Sequence, residues 1–219
     1  MIELGGPIFD NLDFFAQGYL TTVQLTVVAM IGALVIGTAV ASMRVWGGPV
    51  LGAIGSGYVE FFRNTPLLVQ LFFYAVLLAP NNLGITGDAL VAAMIGLSIY
   101  TGAYTTEVIR SGILSVDARQ LEAARSLGLS QVAALRYVVL PQAVRTVIPP
   151  LGNVSIALVK NTALASGIAA TELLQVGRII GTRTFSLDPY IGVVVGYLSL
   201  TLTLAFLVSR LERRLAFAR

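Results

Sequence analysis

The stretch DARQLEAARSLGLSQVAALRYVVLP, residues 117–141, lies within the one long polar connection of an otherwise apolar chain. Asp117, with Gln120 three residues later, resembles a helix-capping pair, and Gly128 suits the left-handed residue that ends a helix. Ser130 can cap a second helix, which the pattern predicts to end at the final proline of the stretch. We therefore predict two short helices that meet at a glycine turn, and we name residues 117–141 the elbow.

The composition of the chain is that of a membrane protein. Of its 219 residues, 56% are hydrophobic and 11% are charged, whereas soluble domains carry about 25% charged residues. Cysteine and histidine are absent, which excludes disulfides and metal sites built from thiolate or imidazole. The basic residues are spread along the loops, so we expect no nucleic-acid partner. We predict an all-α integral membrane protein with no cofactor and no metal.

Five apolar segments are long enough to cross a bilayer, which takes about 20 residues per helix. They are residues 20–43, 58–79, 89–106, 151–170 and 190–209. We expect an extracytoplasmic segment over 1–17, a transmembrane domain over 18–210 with its cytoplasmic loop at about 110–150, and a cytoplasmic tail over 211–219.

Basic residues in the loops orient these spans, because cytoplasmic loops hold more arginine and lysine than external loops do. With the N-terminus outside, Arg178 and Arg183 are the only arginines that face out. The cytoplasmic side then holds Arg44, Arg63, Arg110, Arg119, Arg125, Arg136, Arg145, Arg210, Arg213, Arg214 and Arg219. The N-terminal segment contains Glu3, Asp10 and Asp13 but no basic residue, which agrees. We predict an external N-terminus and a cytoplasmic C-terminus.

Two acid–base pairs occur near the predicted ends of spans. The second span is short unless it begins before Pro66, which places Glu60 and Arg63 at the cytoplasmic interface. Glu107 and Arg110 repeat the same spacing at the end of the third span. Residues three apart share a helix face, so each pair can form an ion pair. We interpret both pairs as interfacial anchors.

The elbow also contains a candidate docking surface. Ala123 and Ala124 are small enough to let a partner approach closely, and Glu122 is available to a partner's arginine. The pattern alone equally allows an elbow that rests on the bilayer surface.

The elbow is similar to the EAA signature in permease subunits of bacterial ATP-binding cassette (ABC) importers. The matching residues are Glu122, Ala123, Ala124, Gly128, Val138, Leu140 and Pro141, with valine at 138 where isoleucine is commoner. Three further stretches resemble the polar amino-acid branch of that family: EFFRNTPLLVQLFF (60–73), which contains Thr65, AYTTEVIRSGI (103–113) and LPQAVRTVIPPLGN (140–153). The resemblance covers roughly residues 18–210.

This resemblance implies a type I importer permease of the bacterial inner membrane, with the elbow as a coupling helix seated in a separate ATPase. The residues that would carry this role are Glu122, Ala123, Ala124, Ser126, Leu127 and Gly128. It further implies a permease dimer, formed with a second copy or a sister permease, two ATPase subunits and an extracytoplasmic solute-binding protein. The only lysine follows a valine, so the chain has no phosphate-binding GxxxxGK[ST] loop. We therefore expect a transport subunit and not an enzyme.

Four polar residues lie deepest in the apolar runs: Gln70, Lys160, Asn161 and Thr162. Lys160 is ten residues from Pro150, or about 15 Å along a helix, which places it near the middle of a core about 30 Å thick. A charge at that depth costs about 2.5–3.5 kcal/mol and needs a partner or a cavity. Either Lys160 links two subunits, or it lines the substrate pathway together with the other three residues.

The pathway interpretation also predicts the substrate class. In the family that the chain resembles, aspartate is common where Asn161 stands, so this site is more positive by comparison. We expect glutamate, aspartate or glutamine rather than a cationic amino acid. The alternative from another class is an ion-coupled secondary transporter or channel, although such carriers usually contain two matching internal repeats.

Overall fold

The structure, a computed structural model, describes residues 6–215, and every regular element within them is a helix. The α-helices are α1 (Gly6–Phe9), α2 (Leu12–Trp46), α3 (Gly48–Asn64), α4 (Leu67–Leu77), α5 (Ala89–Leu114), α6 (Ala118–Ser126), α7 (Gln131–Ala134), α8 (Leu140–Asn161), α9 (Leu173–Thr184) and α10 (Asp188–Leu215). A π-helical turn, Leu135–Val139, joins α7 to α8, and a 3₁₀ helix, Thr162–Ile168, follows α8. Glu3 and Arg219 lie outside the described residues. The all-α prediction is confirmed.

Three predicted spans are confirmed as single long helices. Among the described residues, α2, α5 and α10 are each long and apolar enough to cross a membrane, and α8 with α9 makes a fourth if that bent pair is counted as one span. Helix α2 begins at Leu12, inside the segment predicted to precede the first span. Helix α5 begins where the Asp88 carboxylate accepts a hydrogen bond from the Leu90 amide, at 2.8 Å.

The prediction of one helix over residues 58–79 is wrong, because Pro66 divides this segment into α3 and α4. Proline has no amide hydrogen to donate and disfavours a helical conformation in the residue before it. Thr65 is accordingly extended, with φ −111° and ψ 143°. The two halves cover different parts of α5. The Tyr58 hydroxyl on α3 donates to the Ile99 carbonyl at 2.6 Å, and Tyr74 on α4 packs with Ala92.

The fourth span begins eleven residues earlier than predicted, at Leu140 rather than at residue 151. The second elbow helix also does not end at Pro141, since α7 continues through the π-helical turn into α8. Pro141 lies directly after this π-helical turn, at a point where the regular α-helical hydrogen-bond ladder is already interrupted. In the π-helical turn, the Leu140 amide donates to the Leu135 carbonyl.

Close contact with α5 holds α8 in place although two prolines, Pro149 and Pro150, lie inside it. A Cβ atom added to Gly112 of α5 would be 2.0 Å from the Cγ2 atom of Val147 on α8. The glycine therefore lets the two helices meet at a distance that any side chain would prevent.

The last part of the fourth span does not continue as an α-helix. After Asn161 the chain forms the 3₁₀ helix and reaches Ala169 in a left-handed conformation, with φ 63°. The chain then bends into α9, at an angle of 48° to the preceding helical segment. The main buried cluster lies between α2, α4, α5, α8 and the 3₁₀ helix and includes Leu25, Leu71, Leu97, Leu158 and Ala165.

Candidate functional site

A cavity of about 220 Å³ lies between the middle of α5 and the end of α8. Its lining comprises Tyr100, Thr101, Tyr104, Val154, Ala157 and Asn161. Helix α5 runs from Ala89 to Leu114, so its three lining residues are near its midpoint. If α5 crosses the membrane, the cavity is therefore at mid-depth, and its lining combines apolar surface with three side-chain hydroxyls and one amide.

Two interruptions of the helices occur beside this cavity. Helix α3 ends one residue before Thr65, and Arg63 in its last turn reaches the Tyr104 ring of the cavity wall. Helix α8 ends at Asn161, which itself lines the cavity, and the tighter 3₁₀ helix begins at the next residue. Interrupted helices within a membrane are tolerated where they are buried in protein or line a cavity. The cavity and the two helix interruptions therefore form a candidate substrate pathway.

The structure places one of the four predicted pathway residues in the lining of this cavity. Asn161 lines the cavity, and Lys160 is exposed on the preceding position of α8, with no hydrogen bond or ion pair among the described residues. Thr162 instead is fully buried, and its hydroxyl donates to the Val159 carbonyl at 2.7 Å. The end of α8 therefore presents an ammonium and an amide while the threonine faces the protein interior.

Gln70 is buried at the break between α3 and α4 and is not among the residues that line the cavity. Its Nε2 atom donates to the Phe62 carbonyl at 3.1 Å, the Thr65 carbonyl at 3.2 Å and the Thr65 hydroxyl at 2.6 Å. In an uninterrupted helix, the amide at position 66 would bond to the Phe62 carbonyl, but proline has none. Gln70 supplies the missing donor and so stabilises the break.

The predicted ion pair between Glu107 and Arg110 is confirmed, with 3.6 Å between Oε2 and Nη1. A third residue, Arg44 at the end of α2, also donates to Glu107 through its Nη1 atom. The carboxylate therefore joins α2 to α5 as well as pairing within its own helix. The sequence offered no signal for Arg44, because it is 63 positions from Glu107.

Glu60 and Arg63 do not form the ion pair that their spacing allows. The Asn64 side chain donates to the Glu60 carboxylate at 2.9 Å. The Arg63 guanidinium lies over the Tyr104 ring, with 5.2 Å between the Cζ atom and the ring centroid. Helix α3 begins at Gly48, so both residues are more than three turns from its start. The predicted pairing of the two residues is therefore wrong, and Arg63 instead contacts a residue that lines the cavity.

The elbow forms largely as its sequence predicts. The Asp117 carboxylate accepts from the Arg119 amide at 2.9 Å, and the Ser130 hydroxyl accepts from the Ala133 amide at 3.2 Å. Gly128 between the two helices has φ +86°, the left-handed conformation that glycine adopts at no steric cost. Gln120 does not complete a capping box, because its Oε1 atom accepts from the side chain of Gln142, at 2.5 Å.

Most of the predicted docking residues lie on the surface of the elbow. Glu122, Ala123, Ser126, Leu127 and Gly128 are exposed, and Leu127 has 84% of its surface accessible. Ala124 differs, since it is only 5% exposed and its small side chain faces the protein. A largely exposed leucine beside a carboxylate and small residues is a surface suited to a protein partner.

A buried carboxylate, Glu172, was missed in the sequence. It caps α9 by accepting from the amides of Leu174, at 3.0 Å, and Gln175, at 2.8 Å. It also accepts from the Tyr197 hydroxyl of α10 and therefore ties α9 to α10. Its position directly before an apolar helical run is the signal that could have revealed the cap.

Comparisons with known proteins agree with this architecture. A family model described as binding-protein-dependent transport system inner membrane component matches residues 25–217. The chain is 41% identical over 210 residues to the probable glutamine ABC transporter permease protein GlnM of Bacillus subtilis, covering 95% of this chain and 96% of that protein. It is 36% identical over 208 residues to the glutamate transport system permease protein GluC of Corynebacterium glutamicum, covering 89% and 91%.

A crystal structure of an amino acid ABC transporter with histidines is also similar, with a TM-score of 0.87 at 35% sequence identity. The match covers 98% of this chain and 99% of the chain in that crystal structure. The chain therefore belongs to the family of inner membrane components of binding-protein-dependent transport systems, the permease subunits of ABC importers.

Proposed function

We propose that this chain forms the translocation pathway of an ATP-driven importer for acidic or neutral polar amino acids: glutamate, aspartate or glutamine. The observation that carries the proposal is the cavity at the midpoint of α5, lined by three residues with hydroxyl groups and by Asn161, beside the interruptions of α3 and α8. Similarity to permeases named for glutamine and glutamate transport supports the same substrate class.

Lys160 and Asn161 give this pathway its preference for anionic or amide groups. Lys160 is exposed at the position before Asn161, and none of the residues that line the cavity is acidic. A cationic amino acid would meet repulsion at this site, whereas a side-chain carboxylate or amide can accept a hydrogen bond from it. The competing role of Lys160, as a link between two subunits, predicts no change in substrate preference when the lysine is replaced.

The elbow would couple this pathway to a separate ATPase. In the proposed assembly, two permease chains pair around the pathway, and each elbow is seated in one of two ATPase subunits. An extracytoplasmic solute-binding protein would deliver the amino acid. Closure of the ATPase pair would bring the elbows together and switch the cavity from inward to outward access.

The distribution of arginines supports an orientation with the elbow in the cytoplasm and the N-terminus outside. Arg119, Arg125 and Arg136 lie in or beside α6 and α7, and Arg213 and Arg214 lie near the end of α10. Cytoplasmic loops hold this excess of basic residues. We accordingly propose a multi-pass protein of the bacterial cytoplasmic membrane with a cytoplasmic C-terminus.

The elbow is tested by co-purifying the chain with its partner ATPase. We expect Glu122→Arg or Gly128→Pro to abolish ATPase capture, while Glu212→Arg, a charge reversal in α10 outside the elbow, leaves capture intact. Autonomous, proton-dependent uptake by the chain without any ATPase would contradict the proposal and favour an ion-coupled carrier.

Substrate preference is tested in proteoliposomes that contain the permease, the ATPase and the solute-binding protein. Lys160→Met should lower glutamate uptake more than glutamine uptake, because the charged side chain loses its cationic partner. Glutamate uptake at the wild-type rate, with an unchanged ratio of glutamate to glutamine, would overturn the pathway role of Lys160.

A further inference from the structure

Arg63 is a cation that the fold holds against the wall of the cavity. It is exposed in the last turn of α3, and its Cζ atom lies 5.2 Å from the centroid of the Tyr104 ring. The Tyr104 hydroxyl is 3.0 Å from the Tyr100 hydroxyl, and both rings line the cavity. A guanidinium over an aromatic face is attracted by the ring and fixed in orientation, with its edge free to donate hydrogen bonds.

No carboxylate neutralises this arginine within the part of the chain that the structure describes. The ion pairs found there use Arg44, Arg110 and Glu107. Glu60, one turn before Arg63, accepts a hydrogen bond from Asn64 instead. A charged side chain near the middle of a span is costly unless it faces a partner or a water-filled cavity. The guanidinium thus has unused hydrogen-bonding capacity at the level where substrate would pass.

We propose that Arg63 receives the α-carboxylate of the transported amino acid, with Tyr104 as its positioning residue. The inference rests on the proposed function and adds a second contact to it. A guanidinium matches a carboxylate through two parallel hydrogen bonds, a geometry that an ammonium cannot provide. The α-carboxylate is common to all α-amino acids, so this contact selects the substrate class. Lys160, at the end of α8, would contact the side chain of the transported amino acid.

The two contacts predict separate effects on three ligands: glutamate, glutamine and isoglutamine. Glutamine has an amide in place of the side-chain carboxylate of glutamate, and isoglutamine has an amide in place of its α-carboxylate. Arg63 should govern the ratio of glutamate to isoglutamine affinity, since these two differ at the α-carboxylate. Lys160 should govern the ratio of glutamate to glutamine affinity. A purely structural arginine would change all three affinities together and neither ratio.

The experiment measures binding of the three ligands to the purified permease–ATPase complex by calorimetry, without the solute-binding protein, which would impose its own selectivity. We expect the wild type to prefer glutamate over isoglutamine on the order of 10- to 100-fold, the range for a hydrogen bond to a charged group. Arg63→Gln should bring this ratio close to one and leave the ratio of glutamate to glutamine unchanged. Arg63→Lys should keep an intermediate preference, and Tyr104→Leu should lower it more than Tyr104→Phe.

The matched control is Arg210→Gln, which removes an arginine that lies 5.1 Å from the Phe206 ring on α10, away from the cavity. It should alter neither ratio. If Arg63→Gln does not assemble, the Arg63→Lys and Tyr104→Leu complexes give the same ratios. An unchanged ratio of glutamate to isoglutamine in the Arg63 variants overturns this assignment alone. A wild-type complex that binds none of the three ligands overturns the cavity as a substrate site, and the role of Arg63 with it.

Discussion

Replacing Gln70 by leucine should destabilise the protein at the break between α3 and α4. The amide group of Gln70 is buried and donates to two main-chain carbonyls, those of Phe62 and Thr65. Leucine is similar in size but leaves both carbonyls without this donor. At about 1 kcal/mol for each lost hydrogen bond, the free energy of unfolding should fall by about 2 kcal/mol. For a chain of this length, that corresponds to a melting temperature lower by about 4–8 °C.

Thermal unfolding of the purified protein, followed by tryptophan fluorescence or circular dichroism, measures this shift. Gln24→Leu provides the matched control, because Gln24 is exposed on α2 and the same substitution there should leave the melting temperature unchanged. A Gln70→Leu variant as stable as the wild type would refute the assignment of the amide to the break. A changed substrate preference without loss of stability would instead favour the pathway role predicted for Gln70 from the sequence.

Two further substitutions test the elbow and the junction of α2 with α5. Gly128→Ala should cost about 1–2 kcal/mol in the elbow and lower ATPase capture, because a Cβ at φ +86° is strained although nothing lies within 4 Å of it. Gly57→Ala, at a helical position that also has open space, should be neutral or slightly stabilising in the same unfolding and capture assays. Glu107→Gln should lower the free energy of unfolding by about 1–3 kcal/mol, measured by denaturant titration, because Arg44 and Arg110 both lose their carboxylate. Stability equal to the wild type would show that this cluster adds nothing to the fold.

Local signals were sufficient to predict the two helix starts and the glycine turn of the elbow. Asp117, Ser130 and Gly128 each act within a few residues of their own position, through a cap or a backbone conformation, so their effect can be read along the chain. The three uninterrupted spans were equally accessible, because length and apolar content alone define them.

Hydropathy could not reveal the helix breaks, since an apolar run looks the same whether or not its backbone is continuous. Pro66 was visible, but whether a helix bends or stops at a proline depends on partners for the freed carbonyls, and Gln70 is such a partner. Pro141 shows the reverse case, because the chain passes through it without a stop. We predicted the start of α8 too late because we interpreted Pro141 as the end of a helix.

The contacts of Arg63 and Glu107 required the tertiary structure. Tyr104 is 41 positions beyond Arg63, and the local spacing pointed to Glu60 instead. The pair of Glu107 with Arg110 was predictable because both lie on one helix face, whereas the contact with Arg44 depends on how α2 packs against α5. Sequence patterns within one helix cannot identify partners that lie on another helix.

The π-helical turn Leu135–Val139 has a consequence for the efficiency with which ATP is used. Because this turn replaces a loop, the chain from Gln131 to Asn161 is one helical rod, about 45 Å long at 1.5 Å per residue. A flexible joint would let the ATPase cycle without moving the cavity, and each such cycle would hydrolyse ATP to no effect. In the proposed assembly, the continuous helix would pass a displacement of the elbow on to Asn161. The helical continuity of these five residues would then limit how much ATP is hydrolysed without transport.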